Sequence, residues 1–414
     1  MAIPSIALIP SGYKANKVYS VLPTDGAGDL TFTRASSATR VNKEGLIETV
    51  TTGVPRLDYS DGGCPSLLLE PQSTNLLLRS EEFNDASWTR LNSTITDNSV
   101  IALDGTLTAD KSILNVGVNP LAPDGTGVSQ NQIVTSGVYT YSIFAKAGER
   151  NIIRFRDGGS TGGYLVVNLS NGTFTNAAPS RFVNPQVISY TNGWYRIIFT
   201  TATITNPNVY PLRFGDTGET GDGFSGGFIW GAQLEAGSYA TSYIPTAAAI
   251  STRLQDTASK TGLGSYINSS EGVLFAEIAY LKDKGTSNPF KVERISISDG
   301  TDSNRIFISN TTTANQIQVF VRNTTGISFN QTVTISDVTD FNKIGLKWKV
   351  NDYALWINGV ELATDTTYNY VPVGLDVLKF EGASSAYYFE GKAKDLRVYK
   401  TALTDAELAT LTTL

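Results

Sequence analysis

The run Val138-Tyr139-Thr140-Tyr141-Ser142-Ile143-Phe144 mixes β-branched and aromatic residues with polar ones at every second or third place. Side chains on a strand point alternately to its two faces, so such a run predicts a strand with one face on a core. Tyr164-Leu165-Val166-Val167-Asn168-Leu169, Trp194-Tyr195-Arg196-Ile197-Ile198-Phe199 and Ile317-Gln318-Val319-Phe320-Val321 follow the same rule. Turn signals separate them: Ser170-Asn171-Gly172, Thr191-Asn192-Gly193, Ser298-Asp299-Gly300 and Ile357-Asn358-Gly359. Asn-Gly and Asp-Gly pairs tolerate positive φ and predict hairpins. Many short strands at close spacing predict an all-β protein of sandwich type. One helix is expected. Thr404 is followed three residues later by Glu407, a capping-box spacing, and the chain then runs through Leu408 and Leu411.

Composition narrows the chemistry. The 414 residues hold 32 basic and 38 acidic side chains, a net charge of −6, which argues against a basic nucleic-acid-binding surface. There is no histidine. Ser-His-Asp and Cys-His catalysis and imidazole zinc sites are thereby excluded, while carboxylate chemistry and oxygen-ligated calcium survive. Cys64 is the only cysteine, so no intrachain disulfide forms, and it reads as a small buried or neutral residue. Residues 1–13 are apolar but short, lack a basic start and contain Pro4 and Pro10, so they do not read as a signal peptide. No apolar run reaches the length of a membrane-spanning helix, and no membrane insertion is expected.

Three parts are expected along the chain. Residues 1–80 carry Pro4, Pro10, Pro23, Pro55, Pro65 and Pro71, and read as an extended arm with short strands that packs on a partner. Residues 81–247 and 248–414 read as two β-sandwiches.

The leader contains Leu30-Thr31-Phe32-Thr33-Arg34-Ala35-Ser36-Ser37-Ala38-Thr39-Arg40-Val41-Asn42, then Val54-Pro55-Arg56-Leu57-Asp58-Tyr59 and Leu67-Leu68-Leu69-Glu70-Pro71-Gln72-Ser73-Thr74-Asn75. This string resembles the leader of a family of bacteriophage virion proteins, tail- or head-fibre-like, in which it precedes carbohydrate-binding-like modules. The middle part, through Asn192-Gly193-Trp194-Tyr195-Arg196 and Gly231-Ala232-Gln233-Leu234-Glu235-Ala236-Gly237, resembles a carbohydrate-binding-module jelly roll. The last part, through Leu346-Lys347-Trp348-Lys349-Val350, Ala354-Leu355-Trp356-Ile357-Asn358-Gly359 and Leu396-Arg397-Val398-Tyr399, resembles a laminin-G or concanavalin-like lectin sandwich. The resemblance implies a place in the virion and three kinds of partner: other virion proteins, host-surface glycans and further copies of the chain. It implies a homo-oligomer, a trimer being one form, although no heptad run supports that.

Sugar binding needs flat aromatic faces and groups that meet hydroxyls. Trp88, Trp194, Trp230, Trp348 and Trp356 supply aromatic faces, but Trp194, Trp348 and Trp356 lie in alternating strands and read as core, and Trp230 reads as structural. Glu235 is expected to bond backbone. Arg154 and Arg156 alternate with Ile153 and Phe155, so both arginines share one face. They lead into the glycine-rich loop Asp157-Gly158-Gly159-Ser160-Thr161-Gly162-Gly163-Tyr164, and a second such loop spans Gly215 to Gly223. Arg154, Arg156, Asp157 and Tyr164 form the carbohydrate-binding candidate, with an acidic sugar as its ligand. The plainer reading, a solvated arginine pair beside two turns, is the one the pattern alone favours. Asp299, Asp302 and Asn304 offer oxygens for calcium, yet the segment also fits a plain hairpin turn, which is favoured, and no other cofactor is expected.

The function expected is adhesion without catalysis, by a virion protein displaying glycan-binding β-sandwiches. Two alternatives stay open: a structural component with no ligand, and a depolymerase working through a carboxylate pair, which no spacing singles out.

Overall fold

In the computed structural model of the chain, residues 2–121, 126–131, 134–156, 163–201, 212–283, 294–383 and 387–414 are described. Among these described residues the regular elements are all strands apart from one 3-10 turn and one α-helix. The chain divides into two compact units, each gathered from separated stretches. Unit 1 holds Met1–Ser37, Val50–Gln72 and Leu254–Leu414, and unit 2 holds Ala38–Thr49 and Ser73–Arg253.

Unit 1 is built on two antiparallel sheets. One runs Val360–Asp365, Tyr353–Ile357, Asn342–Lys349, Glu271–Tyr280, Gly391–Tyr399, Ser66–Leu69, Arg56–Asp58, with Ile6–Leu8 also paired to Gly391–Tyr399. The other runs Tyr13–Lys14, Lys17–Val18, Leu30–Thr33, Thr257–Lys260, Val377–Lys379, Arg294–Ser298, Arg305–Asn310, Gln316–Arg322, Ile327–Thr334. Alternation sorts the side chains of Glu271–Tyr280. Leu274, Ala276 and Ile278 join the main core with Ile295, Ile297, Ile306 and Ile308, while Val273 and Phe275 face a second cluster with Leu408 and Leu411.

That second cluster is covered by the helix Asp405–Thr412. Its capping box forms as the spacing predicts: the Glu407 amide donates to Thr404 Oγ1 and the Thr404 amide donates to the Glu407 carboxylate. Thr404→Ala is expected to lower the stability of unit 1 by about 1 kcal/mol, read as a lower thermal midpoint. The Asn-Gly hairpin reading also holds at residues 358–359, where φ is 50° for Asn358 and 84° for Gly359.

Unit 2 has two six-stranded antiparallel sheets. The first runs Thr89–Leu91, Gly127–Ser129, Leu212–Phe214, Ile152–Arg156, Tyr164–Asn168, Thr173–Asn176. The second runs Ser93–Val100, Ala109–Leu114, Gly226–Ala236, Tyr139–Lys146, Trp194–Thr201, Phe182–Ser189. Tyr141, Ile143, Ile197 and Phe199 of the second pack with Ile153, Phe155, Leu165 and Val167 of the first. Trp194 in this unit and Trp348 and Trp356 in unit 1 are buried, as the alternation predicts, and Trp88 and Trp230 are buried as well. Glu235 accepts from the Thr241 amide as expected, and also from the side chains of Ser73 and Gln233.

The leader departs from the expected extended arm. Residues 6–8, 17–18, 30–33, 56–58 and 66–69 are strands inside the two sheets of unit 1, with Ile6 opposite Val398 and Phe32 opposite Ala258. The prolines explain how. Pro55 and Pro65 come immediately before strands, Pro4 precedes the first strand, and Pro10, Pro23 and Pro71 fall between strands. A proline there forfeits no ladder hydrogen bond, so the spacing marks strand ends rather than an unpaired arm. The partition at residues 80 and 247 is therefore replaced by chain passages after residues 37, 49, 72 and 253.

Buried charge ties the pieces of unit 1 together. Arg34 comes from its first stretch, Arg56 and Glu70 from its second, and Asp256 from its third. Arg34 donates to Asp256 at 3.1 Å, Arg56 is bonded to both Glu70 and Asp256, and the Glu70 amide donates to Asp256 at 2.9 Å. Burial alone would depress Arg56, but Asp256 and Glu70 outweigh it and hold the guanidinium more firmly protonated than in water. Cys64, expected to be buried or neutral, is exposed.

Candidate functional site

The first sheet of unit 2 carries apolar residues on one face and arginines on the other. Ile153, Phe155, Leu165, Val167, Leu212 and Phe214 enter the core. The residues between them, Arg154, Arg156, Tyr164 and Arg213, therefore share the opposite face. The register brings them together. Arg154 stands directly opposite Arg213, and Arg156 directly opposite Tyr164.

The Tyr164 ring is the centre of the group. The guanidinium carbon of Arg213 lies 5.5 Å from its centroid and that of Arg154 lies 6.0 Å away. Arg213 also donates to the Tyr164 hydroxyl at 3.1 Å and to the Thr126 carbonyl at 3.2 Å. The hydroxyl in turn donates to the Leu121 carbonyl at 3.1 Å. Arg154 donates to the Gly215 carbonyl at 2.8 Å and to Asp216 at 2.6 Å. Arg213 is driven below the ordinary arginine range, first by burial and then by the charges of Arg156 and Arg154, against a partial offset from Tyr164. Three like charges thus crowd one patch of sheet, an arrangement that an added anion relieves.

The second glycine-rich loop, Gly215 to Gly223, borders this face with acidic groups. Asp216 pairs with Arg154, and Glu219 and Asp222 pair with Arg150. Hydrogen bonds from Ser225 and Phe224 hold the Asp222 carboxyl well below the usual carboxylate range. Asp157 and the first glycine-rich loop through Gly162 lie outside the described residues.

Of the predicted residues, Arg154, Arg156 and Tyr164 do share a face, and both arginines are buried rather than solvated. Arg213 is the member that sequence reasoning missed. Its signal was present: Leu212-Arg213-Phe214 repeats the apolar-Arg-apolar pattern of Ile153-Arg154-Phe155.

The calcium candidate takes the form of a turn held by its own side chains. Asp299 accepts from the Thr301 amide and hydroxyl and from the Asn304 amide group, Asp302 pairs with Arg305, and Asn304 Oδ1 accepts from the Val373 amide. Burial opposes charge on Asp299, but these bonds prevail and hold its carboxyl below the ordinary range. Among the described residues no group of three or more acidic or thiol side chains is placed to hold a metal ion. No helix of the described residues is long and apolar enough to cross a membrane.

The carboxyls that burial pushes upward are engaged elsewhere. Glu81 accepts from the Tyr243 hydroxyl, Asp110, raised to about 6, accepts from the amides of Phe83 and Asn98, and Asp395 is bonded to Arg397.

No protein-family model matches the chain, and no curated protein matches it in sequence. Solved structures do resemble it in fold. One is the CBM40 of the Ruminococcus gnavus IT-sialidase, at 23% identity over 35% of this chain and 84% of that one, with a TM-score of 0.29. Another is domain 4 of AbnA, an extracellular arabinanase from Geobacillus stearothermophilus, in complex with arabinotriose, at 17% identity over 42% of this chain and 83% of that one, with a TM-score of 0.30. A third is domains LG4-5 of the mouse laminin alpha1 chain, at 10% identity over 81% of this chain and 92% of that one, with a TM-score of 0.24. The paired antiparallel sheets of this chain define it as an all-β protein of sandwich type.

Proposed function

We propose that the chain is a glycan-binding component of a bacteriophage virion, and that Arg154, Arg156 and Tyr164 take the acidic group of a sugar, with the fully buried Arg213 holding the Tyr164 ring in place. The observation that carries the binding reading is the register that sets Arg154 opposite Arg213 across one tyrosine ring. A guanidinium fork matches a carboxylate or sulfate with two parallel hydrogen bonds, and the tyrosine face suits the C–H side of a pyranose. The virion placement is supported by the leader string from Leu30 to Asn75. Several copies held on one particle convert weak single contacts into avidity. The reading contains no catalytic step.

A glycan array probed with the full chain tests it. Anionic saccharides are expected to bind and their neutral counterparts to bind far less. Arg154→Gln, which removes the bonds to Gly215 and Asp216, should weaken binding at least tenfold while the chain keeps a cooperative unfolding transition, since a charge-assisted bond is worth about 1.5–3 kcal/mol. Binding confined to neutral glycans, or unchanged by Arg154→Gln, contradicts the site. Release of reducing ends from a host polysaccharide by the purified chain contradicts the non-catalytic reading.

A further inference from the structure

Unit 1 carries a second arginine face, built differently from the first. Within its nine-stranded sheet, Ile295, Ile297, Ile306, Ile308, Val319 and Val321 point into the core. Alternation places Arg294, Ser296, Arg305, Phe307, Ser309, Phe320 and Arg322 on the outer face. Phe307 stands opposite Phe320, and the rings stack at 4.9 Å with an interplanar angle of 10°. Two guanidinium groups lie over this stack. That of Arg294 is 4.2 Å from the Phe307 centroid and 4.2 Å from that of Tyr387, and that of Arg305 is 5.2 Å from the Phe320 centroid. Arg322 stands directly opposite Arg305 on the neighbouring strand.

These arginines are held in place and incompletely used. Stacking on the rings fixes the orientation of Arg294 and Arg305 before any ligand arrives, which lowers the entropy cost of binding. Asp302 pairs with Arg305, but Arg294 and Arg322 have no ion-pair partner among the described residues. The Nε atoms of Arg294, Arg305 and Arg322 and the hydroxyl of the fully buried Ser309 also lack hydrogen-bond partners among the described residues. Arg305 and Arg322 stand side by side on neighbouring strands, while Arg294, opposite Ser309, reaches the same ring stack from four residues further along.

We infer that this face binds an anionic polysaccharide, laid across the strands Arg294–Ser298, Arg305–Asn310 and Gln316–Arg322, with its carboxylate or sulfate groups on Arg294, Arg305 and Arg322. Forked donors gathered around one ring stack select oxyanions, and Gln318 and Asn330, paired side chain to side chain at 2.9 Å, line the same face with groups for hydroxyls. The site does not depend on the arginine face of unit 2.

The test uses the full chain and three probes: polygalacturonate for carboxylate, dextran sulfate for sulfate, and neutral dextran. In a chain carrying Arg154→Gln, salt-sensitive binding of at least one polyanion should persist. Adding Arg294→Gln and Arg322→Gln should weaken that binding at least tenfold, while Arg294→Lys with Arg322→Lys should lose less, keeping the charge without the fork. The polyanion that responds identifies the group read. The inference is overturned if the double glutamine chain binds both polyanions as the unmodified chain does, if the glutamine and lysine pairs are equally impaired, or if Arg154→Gln alone removes all binding. An Arg154→Gln chain that binds normally counts against unit 2 only.

Discussion

Removing residues 1–37 leaves unit 1 unable to fold. The deleted stretch supplies Ile6, Leu8, Val18, Leu30 and Phe32, all at 0–1% exposure in the core shared by the two sheets. Full burial of one such side chain is worth roughly 1.5–3 kcal/mol, so five contribute about 8–15 kcal/mol, comparable with the entire stability of a typical domain. The deletion also strips Ile6–Leu8 from Leu396–Val398 and Leu30–Thr33 from Thr257–Ser259, leaving backbone donors and acceptors unpaired beside an opened core. A chain of residues 38–414 should therefore show a protease-sensitive C-terminal part and lose the unfolding transition of unit 1, by limited proteolysis and circular dichroism. An unfolding profile equal to that of the full chain contradicts this account of the leader.

Asp256→Asn should destabilise unit 1 by about 3–5 kcal/mol, the usual cost of removing one partner from a buried ion pair. Asp256 receives Arg34, Arg56 and the Glu70 amide, and the side chains of Arg34, Arg56 and Asp256 have no solvent exposure. The asparagine removes the carboxylate that Arg34 and Arg56 share, leaving the two buried guanidinium groups short of a counter-charge. It also turns an amide N–H₂ toward donors that had met a carboxylate. Because these charges lie away from water, added salt should recover little of the loss. The exposed pair Arg79–Glu82 provides the contrast, since Glu82→Gln there should cost less than about 1 kcal/mol. Denaturant unfolding of the two variants measures both. Equal effects at Asp256 and Glu82 contradict a structural role for the buried network.

The strands of the two sandwiches were legible because their signals are local. Period-two alternation placed Trp194 and Trp348 inside, and three residues of spacing between Thr404 and Glu407 announced the helix. Pairing of the leader was not legible. Ile6 finds its partner at Val398, and Arg34 finds its partner at Asp256, separations over which no periodicity speaks. Proline density suggests an arm, although every one of these prolines lies outside the short strands it flanks. The binding face divides in the same way. Arg154 and Arg156 share a face by alternation alone, whereas Arg213 joins them only through the register of two strands remote in sequence.

The central claim is that the arginine face of unit 2 reads the acidic group of a glycan. The most direct measurement is a crystal structure of the full chain soaked with the anionic oligosaccharide that binds best on the array. The account predicts a carboxylate or sulfate within hydrogen-bond reach of Arg154 or Arg156, beside the ring of Tyr164. A bound oligosaccharide whose acidic group points to solvent, or one seated away from these three residues, contradicts it.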